Sequence, residues 1–130
     1  MLLIEEDDIM VRGDIYYVRI GREGVGSEQK GNRYCVIIQN NIGNKYSPTV
    51  IVAFISTAVY KAKLPTHVEI NQSNSGIPEP SIIMCEQIRT LDKSRLENKV
   101  GCLTESKKYE LDNALCISLG VTELVNQEVI

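Results

Sequence analysis

A chain of 130 residues, 43% hydrophobic and 24% charged with a net charge of -3, is long enough for one domain with its own core, so no disulfide or metal staple is needed to hold it. Its apolar runs fall well short of a membrane span, and Met1-Leu2-Leu3-Ile4 leads into Glu5, Glu6, Asp7 and Asp8 rather than a signal-peptide core, which predicts a cytoplasmic protein with no membrane partner. Cys35, Cys85, Cys102 and Cys116 make no C-x-x-C pair and have one histidine, His67, for company, so no metal and no cofactor are expected; Cys35, Cys85 and Cys116 lie in apolar segments and read as buried, inert thiols.

Residues 1–10 read as an acidic tail, 11–122 as the domain and 123–130 as a C-terminal tail. A first strand is predicted over Asp14 to Ile20, followed by a long glycine-bearing loop from Gly21 to Gly31, the kind that serves as a binding loop or lid or else stays disordered. The second strand runs from Tyr34 to Gln39, and Asn40-Asn41-Ile42-Gly43-Asn44 reads as a turn. Ser47-Pro48 introduces a third strand, Thr49 to Ile55. Both strands are apolar without alternation, as strands covered on both faces are. Thr66 to Ile70 alternates as a half-exposed strand, 71–80 reads as a loop, and Ser81 to Cys85 is a buried strand that continues in alternating form to Leu91. Asp92 to Leu96 fits one helical turn. Thr104 can cap a helix in which Leu111, Ala114, Leu115, Ser118 and Leu119 share one face and Gly120 marks the stop. Strands first and a helix last predict a mainly β fold: a small, strongly bent sheet or barrel closed by a C-terminal helix.

The charge is segregated along the chain. From Gln29 to Val68 there is no acid, while Lys30, Arg33, Lys45, Lys61 and Lys63 contribute +5; the remainder holds nine basic and seventeen acidic residues, or -8. One positive face on an acidic body fits a polyanion site, and scattered solubilising lysines fit the count equally well. No phosphate loop, H-E-x-x-H or G-x-S-x-G occurs, which leaves polar, metal-free chemistry. Its candidates are Arg33 and Glu28 where the long loop meets the second strand, Ser56 and Thr57 ending the third, His67, and Gln87 and Arg89 in the fifth.

These segments carry a resemblance. R-G-D-I-Y (12–16), G-S-E-Q-x-G-x-R (26–33), V-I-I-Q-N-x-I-G-N (36–44), S-P-T-V-I-V-A (47–53), K-A-K-L-P-T-H-V (61–68) and E-Q-I-R-T-L-D (86–92), in this order, resemble the MazF/PemK family of toxin endoribonucleases from toxin-antitoxin modules. The resemblance spans roughly residues 11 to 120 and implies an SH3-like β-barrel with a C-terminal helix, a homodimer, metal-independent sequence-specific cutting of single-stranded RNA, and a protein antitoxin. Carried over by motif, the catalytic arginine falls on Arg33 and the catalytic threonine on Ser56. The proline that usually follows the arginine is Tyr34 here, and serine replaces threonine, which keeps the hydroxyl and loses the methyl that stiffens the rotamer.

The expected chemistry is attack by the RNA 2′-hydroxyl on the adjacent phosphate, giving a 2′,3′-cyclic phosphate and a 5′-hydroxyl. Arg33 would neutralise the phosphorane oxygens and Ser56 would donate to them, with Glu28 as base, loop anchor or plain loop carboxylate. Further candidate substrate contacts are Gln29, Asn32, Gln39, Asn40, Lys61, Lys63, His67 and Gln87. Each has a structural alternative: amides in loops cap turns, lysines solvate, a histidine on an alternating strand is often structural, and Arg89 fits a dimer interface. The rival reading is a toxin of the same fold that acts through protein contacts alone, as the gyrase-poisoning toxins do.

Overall fold

The two continuous apolar runs become the middle of a six-stranded antiparallel sheet in a computed structural model that describes residues 9–21, 31–57 and 63–121. Its strands are β1 (Asp14–Val18), β2 (Arg33–Ile37), β3 (Thr49–Ser56), β4 (His67–Ile70), β5 (Ser81–Asp92) and β6 (Leu96–Cys102), in the spatial order β4-β5-β3-β2-β1-β6. β3 is thus flanked on both sides, and both of its faces are covered. On one face Ile15, Val36, Ala53, Ile55 and Ile83 pack with Leu111, Ala114 and Leu115 of the C-terminal helix α3 (Glu105–Leu119). On the other, Val18, Cys35, Ile37, Val52, Phe54, Ile82 and Met84 form a second cluster that Leu96 of β6 joins, so the sheet curls around it. Among the described residues no ladder joins the outer strands β4 and β6; the expected mainly β fold with a terminal helix holds there as a curled sheet rather than a hydrogen-bonded ring. No helix among the described residues is long and apolar enough to cross a membrane.

Three local expectations change. The segment read as a turn after Gln39 is a short helix, α1 (Asn41–Tyr46), because Asn40 caps it by accepting from the Gly43 N–H at 2.8 Å. Gly43 also leaves room for Gln39, whose side chain would lie 3.1 Å from a Cβ there. The loop 71–80 contains α2 (Gln72–Ser75), held by a reciprocal Asn71–Asn74 capping box. The segment between Leu96 and Thr104, for which the sequence pattern predicts no element, is β6, and its Gly101 lets the end of α2 approach so closely that a Cβ would collide with the Ser75 carbonyl oxygen. The helix cap itself is as expected: Thr104 accepts from the Lys107 N–H at 3.3 Å, and Gly120 ends α3 at φ 71°. Leu119, expected on the buried face, is 61% exposed because it lies past the last residue of α3 that the sheet covers.

β5 is the element that shapes the far side of the sheet. Ala53 of β3 pairs with Ile88 and the next residue, Phe54, with Met84, so Cys85, Glu86 and Gln87 form a bulge between two ladders. Sequence alternation read this segment as one regular strand.

Candidate active site

β2 and β3 run antiparallel with Cys35 opposite Phe54, Val36 opposite Ala53 and Ile37 opposite Val52. Continued by two residues, that register sets Arg33, the first residue of β2, opposite Ser56, the last of β3. Residues so opposed have Cβ atoms roughly 5 Å apart and point to the same face. Ser56 in turn pairs with Ile82, and Ile82 with Glu69. One cross-strand row therefore reads Arg33, Ser56, Ile82, Glu69 over four strands. The next row inward, Cys35, Phe54, Met84 and His67, supplies its apolar floor.

Arg33 is half-buried, its Nε is shielded from solvent, and burial pulls its pKa below the usual guanidinium value. Such a cation remains charged at neutral pH but has lost hydration, so an approaching anion recovers interaction that water no longer provides. Ser56 is buried at 9% exposure. Next to Arg33, Tyr34 meets Tyr17 edge-on with ring centroids 5.5 Å apart. The floor is inert: burial pushes the Cys35 thiol up to about 12 against a backbone hydrogen bond from Tyr16. The same cause, with the charge of Glu86 adding to it, takes Cys85 to about 12. Cys116, expected buried, is partly exposed.

The other candidates separate into groups. Lys63 reaches the row from its outer end, with Nζ 2.5 Å from Glu69 Oε1. Asn32 is exposed beside Arg33, and Gln87 lies in the β5 bulge. His67 is committed to structure: the Leu64 N–H donates to Nδ1 at 3.2 Å, which assigns the ring proton to Nε2, and Nε2 meets Glu86 Oε2 at 2.9 Å. Gln39 and Asn40 lie beyond the opposite end of β2, about 20 Å along the strand from Arg33. Gln39 donates to Asn44 Oδ1 and the Thr49 carbonyl, and Asn40 caps α1. Glu28, Gln29 and Lys61 lie outside the described residues. Among the described residues no three His, Cys, Asp or Glu side chains converge to hold a metal ion.

Sequence reasoning missed Glu86. It accepts from Thr66 Oγ1 at 2.8 Å as well as from His67. Burial alone would raise its pKa, but these hydrogen bonds outweigh it and hold the carboxyl below the usual range. The signal was the E-Q pair at the bulge, which regular alternation concealed.

Residues 11–119 match the sequence family described as "PemK-like, MazF-like toxin of type II toxin-antitoxin system". The chain is 56% identical over 110 residues to "Endoribonuclease MazF" of Staphylococcus epidermidis, covering 85% of this chain and 91% of that protein. Among solved structures, it resembles "Endoribonuclease in complex with its cognate antitoxin from Mycobacterial species" at a TM-score of 0.70 and 23% identity, covering 86% of this chain and 96% of that one. It also resembles MazF (Form-I) from Deinococcus radiodurans at a TM-score of 0.71 and 17% identity, covering 86% and 97% of the two chains.

Proposed function

Since the chain belongs to the PemK/MazF family of type II toxins and is an endoribonuclease of a toxin-antitoxin module, we propose that Arg33 and Ser56 are its catalytic pair and single-stranded RNA its substrate. The observation that carries this reading is the β2–β3 register, whose continuation sets the half-buried Arg33 guanidinium opposite the buried Ser56 hydroxyl beside an apolar floor.

In this reading the 2′-oxygen attacks the adjacent phosphorus, the new 2′-O–P bond forms and the P–O5′ bond breaks. The 2′ proton passes to a base, for which Glu28 is the candidate, and the 5′-oxygen leaves as an alkoxide that takes a proton from water to give the 5′-hydroxyl. The nucleophile belongs to the substrate, so no activated water is required and the reaction proceeds without metal. The charge that develops on the non-bridging oxygens is met by the Arg33 fork and the Ser56 hydroxyl, which are already in place and need no reorganisation. Arginine is a poor proton donor at neutral pH, so its contribution is electrostatic.

Lys63, which meets Glu69 about 14 Å or three strand spacings along the row from Arg33, would contact a backbone phosphate of the same RNA strand. Asn32 and Gln87 flank the row and are the remaining described candidates for base contacts. Gln39 and Asn40 are left out because their side chains hold α1 in place.

Two partners follow. On the helix side of the sheet, an open groove between the strands and α3 is lined by Ile38, Ile51, Ile88, Tyr109, Leu115 and Leu119. Tyr109 and Leu119 are 70% and 61% exposed, and a second copy of the chain would bury them, giving a homodimer. The protein antitoxin would lay an acidic, partly apolar segment over the face that carries Arg33 and Lys63, both from the acid-free stretch 29–68.

The substrate assignment is tested with matched RNA, DNA and 2′-O-methyl RNA of one sequence. The reading requires cleavage of the RNA alone, and cleavage of the DNA contradicts it.

A further inference from the structure

The chain leaves the row at Ser56 and returns to it through Lys63 to His67, and among the described residues this return arm is fastened to β5 next to Thr66 and His67 and, through Lys63, to Glu69 of β4. The turn is closed on itself, since the His67 N–H donates to the Leu64 carbonyl at 2.9 Å while the Leu64 N–H donates to His67 Nδ1 at 3.2 Å. It is joined to β5 by the Cys85 N–H, which donates to the Thr66 carbonyl at 2.9 Å, and by the Glu86 carboxylate. Oε1 of Glu86 takes Thr66 Oγ1 at 2.8 Å and Oε2 takes His67 Nε2 at 2.9 Å. The His67 side chain keeps 7% of its exposure and that of Glu86 keeps 33%, so the clamp has a dry side and a wet side. β4 has four residues and, among the described residues, pairs only with β5, which makes it a weak support for Lys63 without the clamp.

From this geometry we infer that Glu86 is a positioning residue for RNA binding: through Thr66 and His67 it holds the return arm so that Lys63 stands at the outer end of the Arg33–Ser56 row. The inference rests on the RNA reading of that row. By strand spacing and rise, His67 lies two strands and two residues from Ser56, roughly 12 Å away, so Glu86 touches no reacting atom. An effect exerted at that distance on phosphate contact is the same in the ground state and the transition state. It therefore appears in KM and not in kcat. A carboxylate is needed because both hydrogen-bond donors arrive together and each takes its own oxygen; an amide has one acceptor oxygen to offer.

The test uses the full-length chain with Glu86→Ala, Glu86→Gln and Thr66→Val. Each is assayed for KM and kcat on a cleavable RNA, and for Kd on the same RNA carrying a 2′-deoxy residue at the cut site. Glu86→Ala is expected to raise KM and Kd together by about tenfold with kcat within about threefold. Glu86→Gln recovers part of that loss, and Thr66→Val, which removes one of the two bonds, gives about a threefold rise. Unchanged KM and Kd in Glu86→Ala, or a fall in kcat alone, overturns the inference. If Glu86→Ala does not fold, Thr66→Val decides on the same criteria. A wild type that binds the RNA but leaves it intact overturns the nuclease reading while the Kd ratios still judge the clamp, and a wild type that neither binds nor cuts overturns both.

Discussion

Arg33 opens β2 and Ser56 closes β3, and the β2–β3 register, paired from Ile37–Val52 to Cys35–Phe54, runs on by two residues to Arg33 opposite Ser56, on the face of the sheet away from α3. They are twenty-three positions apart in the sequence, and the antiparallel pairing that folds the chain back through α1 brings their strand ends to the same side of the sheet. Neither residue needs a flexible loop to reach the other, so the pair is organised before substrate arrives.

Loss of either member removes a donor that acts on charge developing in the transition state. Arg33→Ala and Ser56→Ala should each lower kcat by on the order of 10²–10³, with melting temperatures near that of the wild type. The double variant should lose little more than the worse single one, because the two act as a unit. Arg33→Lys keeps the charge but not the planar fork and should recover little activity, whereas Ser56→Thr should retain activity. Single-turnover cleavage of one defined RNA measures all five variants.

Tyr34 follows Arg33, and its edge-on contact with Tyr17 ties this end of β2 to β1. A double-mutant cycle on Tyr17→Leu and Tyr34→Leu, read by urea unfolding, should give a coupling of about 0.5–1.5 kcal/mol. The Tyr34→Leu variant should also lose kcat, since Arg33 is the next residue; unchanged kcat would show that the ring supports the fold alone.

The pH dependence of stability follows from Glu86. Its carboxyl lies below the ordinary range in the folded protein: burial opposes this, and the hydrogen bonds from His67 and Thr66 prevail. A folded-state pKa lower than the unfolded one means stability that is present above the unfolded value, about 4.3, and is lost as pH falls through the folded value. The stability difference between wild type and Glu86→Gln should thus be constant from pH 7 to about 5 and shrink below about 4. Urea unfolding at stepped pH measures it, and a difference that grows on acidification would contradict the clamp.

On the opposite face, Leu119→Asp places a charge in the groove where a second copy is proposed to sit. Sedimentation should show the wild type as a dimer and the variant shifted to monomer, since an unpaired charge cannot be buried in an apolar interface. A monomeric wild type would instead leave Leu119 and Tyr109 to another partner.

Much of this was legible in the sequence, and its limits have physical causes. The apolar runs of β2 and β3, the Thr104 cap and the Gly120 stop are local signals, so the central strands and α3 could be read directly. Arg33 and Ser56 could be placed at element ends, but their pairing depends on register, which composition does not carry. The β5 bulge hid Glu86 because three inserted residues keep an alternating pattern while breaking the ladder. Gln39 and Asn40 were singled out as base-reading amides, yet both are occupied by α1, whose six residues are too few to show a helical period. Asn71 and Asn74 did carry a signal for α2, the three-residue spacing of a capping box.

The central claim is tested most directly by incubating the purified protein with a long single-stranded RNA in EDTA and mapping both new ends. The account predicts cuts at a short recurrent sequence that leave a 2′,3′-cyclic phosphate and a 5′-hydroxyl, absent with Arg33→Ala and Ser56→Ala. Intact RNA across several sequence-diverse substrates, or cleavage undiminished in both variants, would contradict it.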